Sequence, residues 1–280
     1  MQFAINYSPQ AEKLWRAGQI QIDLFKCPNW PDLVYQVGAI HQVYVHCDLY
    51  AGRGEPADAD LDQLAHWLET TETRAINTHF AVLRSELAAD ETASAETVVK
   101  RALRSVELLG ERFGNDRILI ENLAYPTGFW QGDLMAEAVD PAVISEIVAR
   151  SGCGFLLDVA HAVLACEGTG RSDLRGYLNA LPVHALRELH VVGILPAPDE
   201  SGVRQDHFAM TDSDWQVAEW AVSQIREGKW RPCSQQPGLP GIHAGAPRRP
   251  HLPRSTADGH RGVPHPQGPA QGQRSEHGRG

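Results

Sequence analysis

From residue 3 to residue 230, short apolar runs alternate with longer stretches in which apolar positions recur every three or four residues. The short runs predict strands at 3–7 (FAINY), 20–25 (IQIDLF), 42–47 (QVYVHC), 75–80 (AINTHF), 117–122 (RILIEN), 154–159 (GFLLDV) and 187–192 (RELHVV). The longer stretches predict helices over 59–71, 94–114, 140–152 and 211–228. In the second of these Val98, Val99, Ala102, Val106 and Leu109 share one face, after Ser94 and before a terminating glycine. The fourth starts at Thr211, an N-cap residue followed by acids suited to a helix N-terminus.

Strand and helix alternate seven times, and near-continuous apolar strands joined by helical crossovers predict a parallel sheet. The expected architecture is an α/β fold, a (β/α)8 TIM barrel. Its eighth strand is due just after Lys229, where the pattern collapses, so the barrel is expected to lack a proper eighth strand. Residues 231–280 contain no aromatic residue and nine of the 18 prolines. Residues 1–230 are therefore expected to form the metal-binding barrel domain, and 231–280 a low-complexity, disordered tail. The Gly, Pro, Arg, Ala and His bias of that tail is shared by natural disordered segments and by a GC-rich gene read out of frame, so a frameshift product is the alternative.

Charge sharpens the picture. The tail holds seven arginines and two acids, leaving 18 basic and 33 acidic residues, a net charge of −15, on the rest. A body so acidic repels phosphate backbones, so no nucleic-acid partner is expected. No membrane span is expected, the first residues lack a signal-peptide pattern, and a cytoplasmic location follows. The five cysteines are widely spaced without a C-x-x-C, which suggests neither a disulfide framework nor a thiolate zinc site.

In a barrel of this kind the chemistry sits at the carboxyl ends of the strands. Those positions carry His46, His79, Glu121, Asp158, His161 and His190, and a later loop adds Asp206 and His207. Singly, each has an ordinary explanation: a histidine can be hydrogen-bonded filler, and Asp158 can cap the next helix. Together, on one face, they predict a metal site. Imidazole and carboxylate without cysteine suit iron, zinc or manganese, and the number of groups suits two or three ions bridged by Glu121 or Asp158. Asn122 is expected to orient a ligand or to bind substrate. Asp23 is expected to make a structural hydrogen bond, and Trp215 and Trp220 to pack their helix. There is no G-x-S-x-G, P-loop or G-x-G-x-x-G pattern.

The segments ILIENLAYP, GFLLDVAHAVLAC, YLNALPVHALRELHVVG and DHFAMTDSDW resemble the multinuclear non-heme iron-dependent oxidases, formerly a domain of unknown function, within the xylose-isomerase-like TIM barrels. The resemblance runs from about Phe3 to Trp230 and is most specific from Ile118 to Trp215. It implies an oxidoreductase with two or three irons that uses dioxygen to modify cysteine-containing peptides in RiPP biosynthesis, with a precursor peptide and a peptide-delivering protein as partners. Matched by position, the implied ligands are His46, His79, Glu121, Asp158, His190 and His207. The family often shows DxNN where this chain has DVAH, which places His161 at an asparagine position; Asp-x-x-His is also the zinc-binding pattern of endonuclease IV enzymes. Ile194 stands where a second histidine is common.

Three readings stay open on residues alone. The first is an iron-dependent oxidase acting on a peptide or small thiol. The second is a divalent-metal sugar isomerase or epimerase, or an endonuclease IV-like phosphodiesterase. A sugar isomerase calls for a lysine or a carboxylate pair for proton transfer, and no lysine is placed at a strand end; the phosphodiesterase conflicts with the charge. The third is an inactive truncated barrel, whose open edges would make it prone to aggregation.

Overall fold

The computed structural model describes residues 2–54, 59–126, 132–198 and 202–230. The expected eighth strand and the tail from 231 onward lie outside the described residues.

All seven predicted strands form. β1 (Ala4–Asn6), β2 (Leu24–Pro28) and β3 (Val43–His46) make one parallel sheet. β4 (Tyr50–Ala51), β5 (Ile76–Phe80), β6 (Ile118–Glu121), β7 (Gly154–Asp158) and β8 (Leu186–His190) make a second parallel sheet in that order. The two are stitched by an asparagine in place of a ladder: the Cys47 N–H donates to Asn77 Oδ1 at 2.9 Å, and Asn77 Nδ2 donates to the Cys47 carbonyl at 3.1 Å. Farther along, the Glu72 N–H donates to the Val43 carbonyl and the His79 N–H to the Leu49 carbonyl, both at 2.8 Å. The strands curl far enough that the first sheet meets the last strand: Tyr44 of β3 donates from its hydroxyl to Glu188 of β8 at 3.0 Å. A short antiparallel pair, β9 (Gly193–Ile194) and β10 (Asp206–Phe208), follows β8.

Strand alternation explains how apolar runs carry a polar site. Phe25, Cys27, Val43 and Val45 pack in the same apolar cluster as Val34, Val37 and Trp67 from the helices. Ile76, Phe80, Ile118, Ile120, Phe155, Leu157 and Leu189 likewise join the main core with the helix side chains. The alternate positions face the other way. There Ala75, Leu119 and Leu156 form a small apolar floor. Further along the same faces stand Lys26, Tyr44, His46, Asn77, His79, Glu121, Asp158, Glu188 and His190, brought side by side by register pairs such as Pro28 with His46, His79 with Glu121, and Asp158 with His190.

The helices are α1 (Pro9–Arg16), α2 (Pro31–Gly38), α3 (Leu61–Thr70), α4 (Ala95–Phe113), α5 (Pro141–Ser151), α6 (Val159–Gly168), α7 (Leu174–Ala180) and α8 (Asp212–Arg226). The four predicted helices are α3, α4, α5 and α8. Ser94 caps α4 by accepting the Thr97 N–H, and the helix buries Val98, Val99, Ala102, Val106 and Leu109. Thr211 and Asp214 close a reciprocal capping box on α8. The packing assigned to the α8 tryptophans holds for Trp220, which meets the buried Trp230 edge-on at 5.4 Å, but not for Trp215, which is exposed. Trp215 lies in the first turn, where α8 has not yet met the core. None of the described helices is long and apolar enough to cross a membrane.

The second strand begins later than its sequence suggests. Asp23 ties back to β1, its carboxylate accepting the Phe3 N–H at 2.7 Å and its own N–H donating to the Phe3 carbonyl at 2.8 Å. This is the structural hydrogen bond expected of it. The ladder then runs through Lys26, a charged residue that the hydrophobic pattern excluded from the strand.

Candidate metal centre

Glu121, at the end of β6, is the centre of the arrangement. Its side chain is 1% exposed, and Oε2 is a buried oxygen without a hydrogen-bond partner. Oε2 faces His79 Nε2 at 3.5 Å and His46 Nε2 at 3.8 Å, while Oε1 faces His161 Nδ1 and His190 Nδ1, each at 3.6 Å. Burial pushes this carboxyl's pKa up, yet His79, His190 and His46 outweigh burial and hold it well below the usual carboxylate range.

Each histidine is held by its own neighbours. Asn77 Nδ2 lies 2.7 Å from His46 Nδ1 and 3.1 Å from Nε2, so the same amide that joins the sheets holds this ring. Tyr50 stacks on His79 at 5.3 Å, and His79 Nδ1 is buried without a partner. Burial lowers the pKa of both rings, and the charge of Lys26 lowers that of His46 further. His190 donates from Nε2 to Glu188 Oε1 at 2.6 Å, which turns Nδ1 toward Glu121 and toward Asp158 Oδ2 at 3.9 Å.

Asp158 serves twice. One oxygen caps α6 by accepting the His161 N–H at 2.9 Å, while the other faces His190. The capping and metal-ligand explanations of this residue are therefore compatible. Asn122 is fully buried with both ends of its amide on the Asp158 backbone: Oδ1 accepts the Asp158 N–H at 3.0 Å and Nδ2 donates to the Asp158 carbonyl at 2.9 Å. Asn122 thereby holds the backbone at Asp158 in place.

His161, in the first turn of α6, puts Nδ1 2.8 Å from the Asn122 carbonyl and Nε2 2.8 Å from Asp206 Oδ2. Burial opposes its protonation, but Asp158, Asp206 and Glu121 prevail and raise its pKa to about 10. His207 is 58% exposed at a left-handed φ of 65°, with Nε2 3.9 Å from Asp206 Oδ1.

Among the described residues, three groups place ligand atoms within 4.8 Å of one another: His46, His79 and Glu121; Glu121, Asp158 and His161; and His161, Asp206 and His207. They form a chain, with Glu121 shared by the first two and His161 by the last two. His190 stands outside these trios but reaches both Glu121 and Asp158.

Sequence reading missed Lys26, Tyr44, Asn77 and Glu188. Lys26 is the third of the five residues of β2 and so not at a strand end, but its Nζ reaches the strand-end histidine, lying 3.3 Å from Nδ1 and 3.2 Å from Nε2 of His190. The available signal was the period of two, because Asn77 precedes His79, and Glu188 precedes His190, by two residues on the same strand face. Cys27, Cys47 and Cys153 are buried, their thiols pushed up to about 12, 12 and 11 by burial, and they do not join these metal-competent groups.

An α/β fold with a linked histidine–carboxylate cluster at its strand ends defines the class: a parallel α/β protein with a candidate metal centre. Residues 30–229 match the family of RiPP precursor modification enzymes MbnB/TglH/ChrH, and the chain belongs to that family. A UPF0276 protein of Caulobacter vibrioides is 36% identical over 91 residues, 32% of this chain and 30% of the relative. A UPF0276 protein of Bordetella pertussis is 34% identical over 111 residues, 38% of this chain and 36% of the relative. The chain thus matches about a third of the length of these curated relatives. A solved D-psicose 3-epimerase aligns over 81% of this chain and 82% of its own at 10% identity, with a TM-score of 0.46.

Proposed function

We propose that the protein is a multinuclear iron-dependent oxidase that uses dioxygen to modify a cysteine-containing peptide, a ribosomally made precursor brought to it by a partner protein. The observation that carries the metal part is Glu121: a buried carboxylate with an unpartnered oxygen, each of its two oxygens facing two histidines. A buried anion in that state is costly unless a cation completes it. The unpartnered Nδ1 of His79 and the all-nitrogen, all-oxygen donor set fit a divalent transition metal, with iron the proposed ion and zinc or manganese the alternatives. Family membership supports the peptide substrate.

His46, His79 and Glu121 would hold one ion, Glu121 and Asp158 with His161 or His190 a second, and His161, Asp206 and His207 a third. Bound iron supplies the electrons and Lewis acidity for dioxygen and thiolate chemistry. The chain's own residues do the positioning. Asn77 holds the His46 ring, Glu188 fixes the tautomer of His190, and the Asn122 carbonyl fixes that of His161, so that His190 and His161 each present the other nitrogen to a carboxylate. Between His161 and Asp206 the protein holds a proton where a metal would sit.

The test is to supply iron-loaded protein with oxygen and a panel of synthetic cysteine-containing peptides, then follow oxygen uptake and peptide mass. Coupled uptake and a mass change confined to cysteine are expected; uptake without peptide modification would contradict the substrate assignment. Lys26 favours a second reading, a sugar isomerase or epimerase, because it supplies the lysine that chemistry calls for. Epimerisation of a ketohexose by the manganese-loaded protein would establish that reading instead.

A further inference from the structure

The metal-competent cluster leaves one charged group unused. Lys26 stands in β2 on the inner face, two residues before Pro28, which pairs in register with His46. Its ammonium lies 3.3 and 3.2 Å from the two ring nitrogens of His190. The bonding axes of those nitrogens diverge in the ring plane, so a point equidistant from both lies along neither. His190 has besides committed Nε2 to Glu188 and turned Nδ1 to Glu121 and Asp158. No carboxylate among the described residues forms an ion pair with Lys26.

A cation at this place works against cations bound by the adjacent histidines, at a Coulomb cost that burial enlarges. Its donors are available to an anion that none of the described residues provides. A lysine, unlike an arginine, presents a compact point charge that a single carboxylate oxygen can meet. The anion it meets would lie beside His190 and therefore next to Glu121 and Asp158, where the reaction is placed.

We propose that Lys26 binds a substrate carboxylate carried close to the reacting thiol, and thereby selects which thiols the centre accepts. This rests on the metal-centre reading above. Lys26 is a specificity-determining residue in this account.

The experiment uses the full chain, loaded with ferrous iron without oxygen, and titrates it by calorimetry with mercaptoacetate and with 2-mercaptoethanol, a thiol with a carboxylate and a thiol without one. The ratio of the two affinities is compared between wild type, Lys26→Met, Lys26→Gln and Lys26→Arg, so that the difference in thiol acidity cancels. Iron per chain and the melting temperature are measured on the same samples, and two charge-removing variants are used in case one fails to fold. The expected result is that Lys26→Met or Lys26→Gln keeps its iron and loses about tenfold of the preference for mercaptoacetate, while Lys26→Arg keeps most of it. An unchanged ratio in an iron-loaded neutral variant overturns the role of Lys26 alone. Wild type that binds no metal overturns the metal-centre reading, and this proposal with it.

Discussion

His161 Nε2 lies 2.8 Å from Asp206 Oδ2, while His161 Nδ1 lies 2.8 Å from the carbonyl oxygen of Asn122. Both neighbours are acceptors, so both ring nitrogens carry protons and the metal-free ring is an imidazolium. A metal at Nε2 must displace one of them. Binding of zinc at pH 7.5 is therefore expected to release a proton from this ring. Calorimetry in buffers of different ionisation enthalpy measures it, and proton release undiminished in a His161→Gln variant would refute the assignment.

The same ring gives metal-free protein a definite pH dependence. Its folded pKa, raised to about 10, lies above the unfolded value of about 6.5. Its contribution to stability is complete below the unfolded value and is lost as pH rises through the folded one. The melting temperature of chelator-treated protein should fall between pH 7 and pH 10, and by less in His161→Gln, in which that contribution is absent at every pH. Equal falls in the two proteins would show that His161 is not the group responsible.

Asn122 joins β6 to β7 through the backbone of Asp158. Asn122→Ala leaves a buried N–H and a buried carbonyl without partners, each at a cost of about 1–3 kcal/mol. Chemical denaturation should show a loss of at least about 2 kcal/mol, with weaker metal binding because Asp158 is no longer held. A variant as stable as wild type would mean that water replaces the amide.

Gly193 lies where β9 passes the chain beyond β10. A Cβ there would stand 2.4 Å from the Ala209 carbonyl carbon and oxygen, a contact that requires the backbone to move. Gly193→Ala should displace the β9–β10 pair that carries Asp206 and His207, removing one metal per chain and sparing the site at His46, His79 and Glu121. Unchanged metal content would show that the pair does not hold an ion.

The strand ends were legible because apolar runs stop where ligands start: His46, Glu121, Asp158 and His190 each close a strand, and His79 stands one residue before the end of its own. Lys26 was not, because a charge inside a strand breaks the hydrophobic pattern; only its inner-face position, opposite His190, accounts for it. Nor was the double duty of Asp158, since one carboxylate can serve a helix cap and a site only when its two oxygens point apart. α6 escaped notice for the same reason that it is useful. Seven of its ten residues are buried, so it has no polar face to set a period, and its start is fused to the end of β7.

The most direct measurement is the metal content of protein purified without oxygen, for wild type and for Glu121→Gln, which keeps the shape of the central side chain and removes its charge. Two or more irons per wild-type chain are expected, with loss in the variant of at least the ions that Glu121 would hold. Wild type that binds no metal after anaerobic reconstitution, or a variant that retains the full complement, would contradict that expectation.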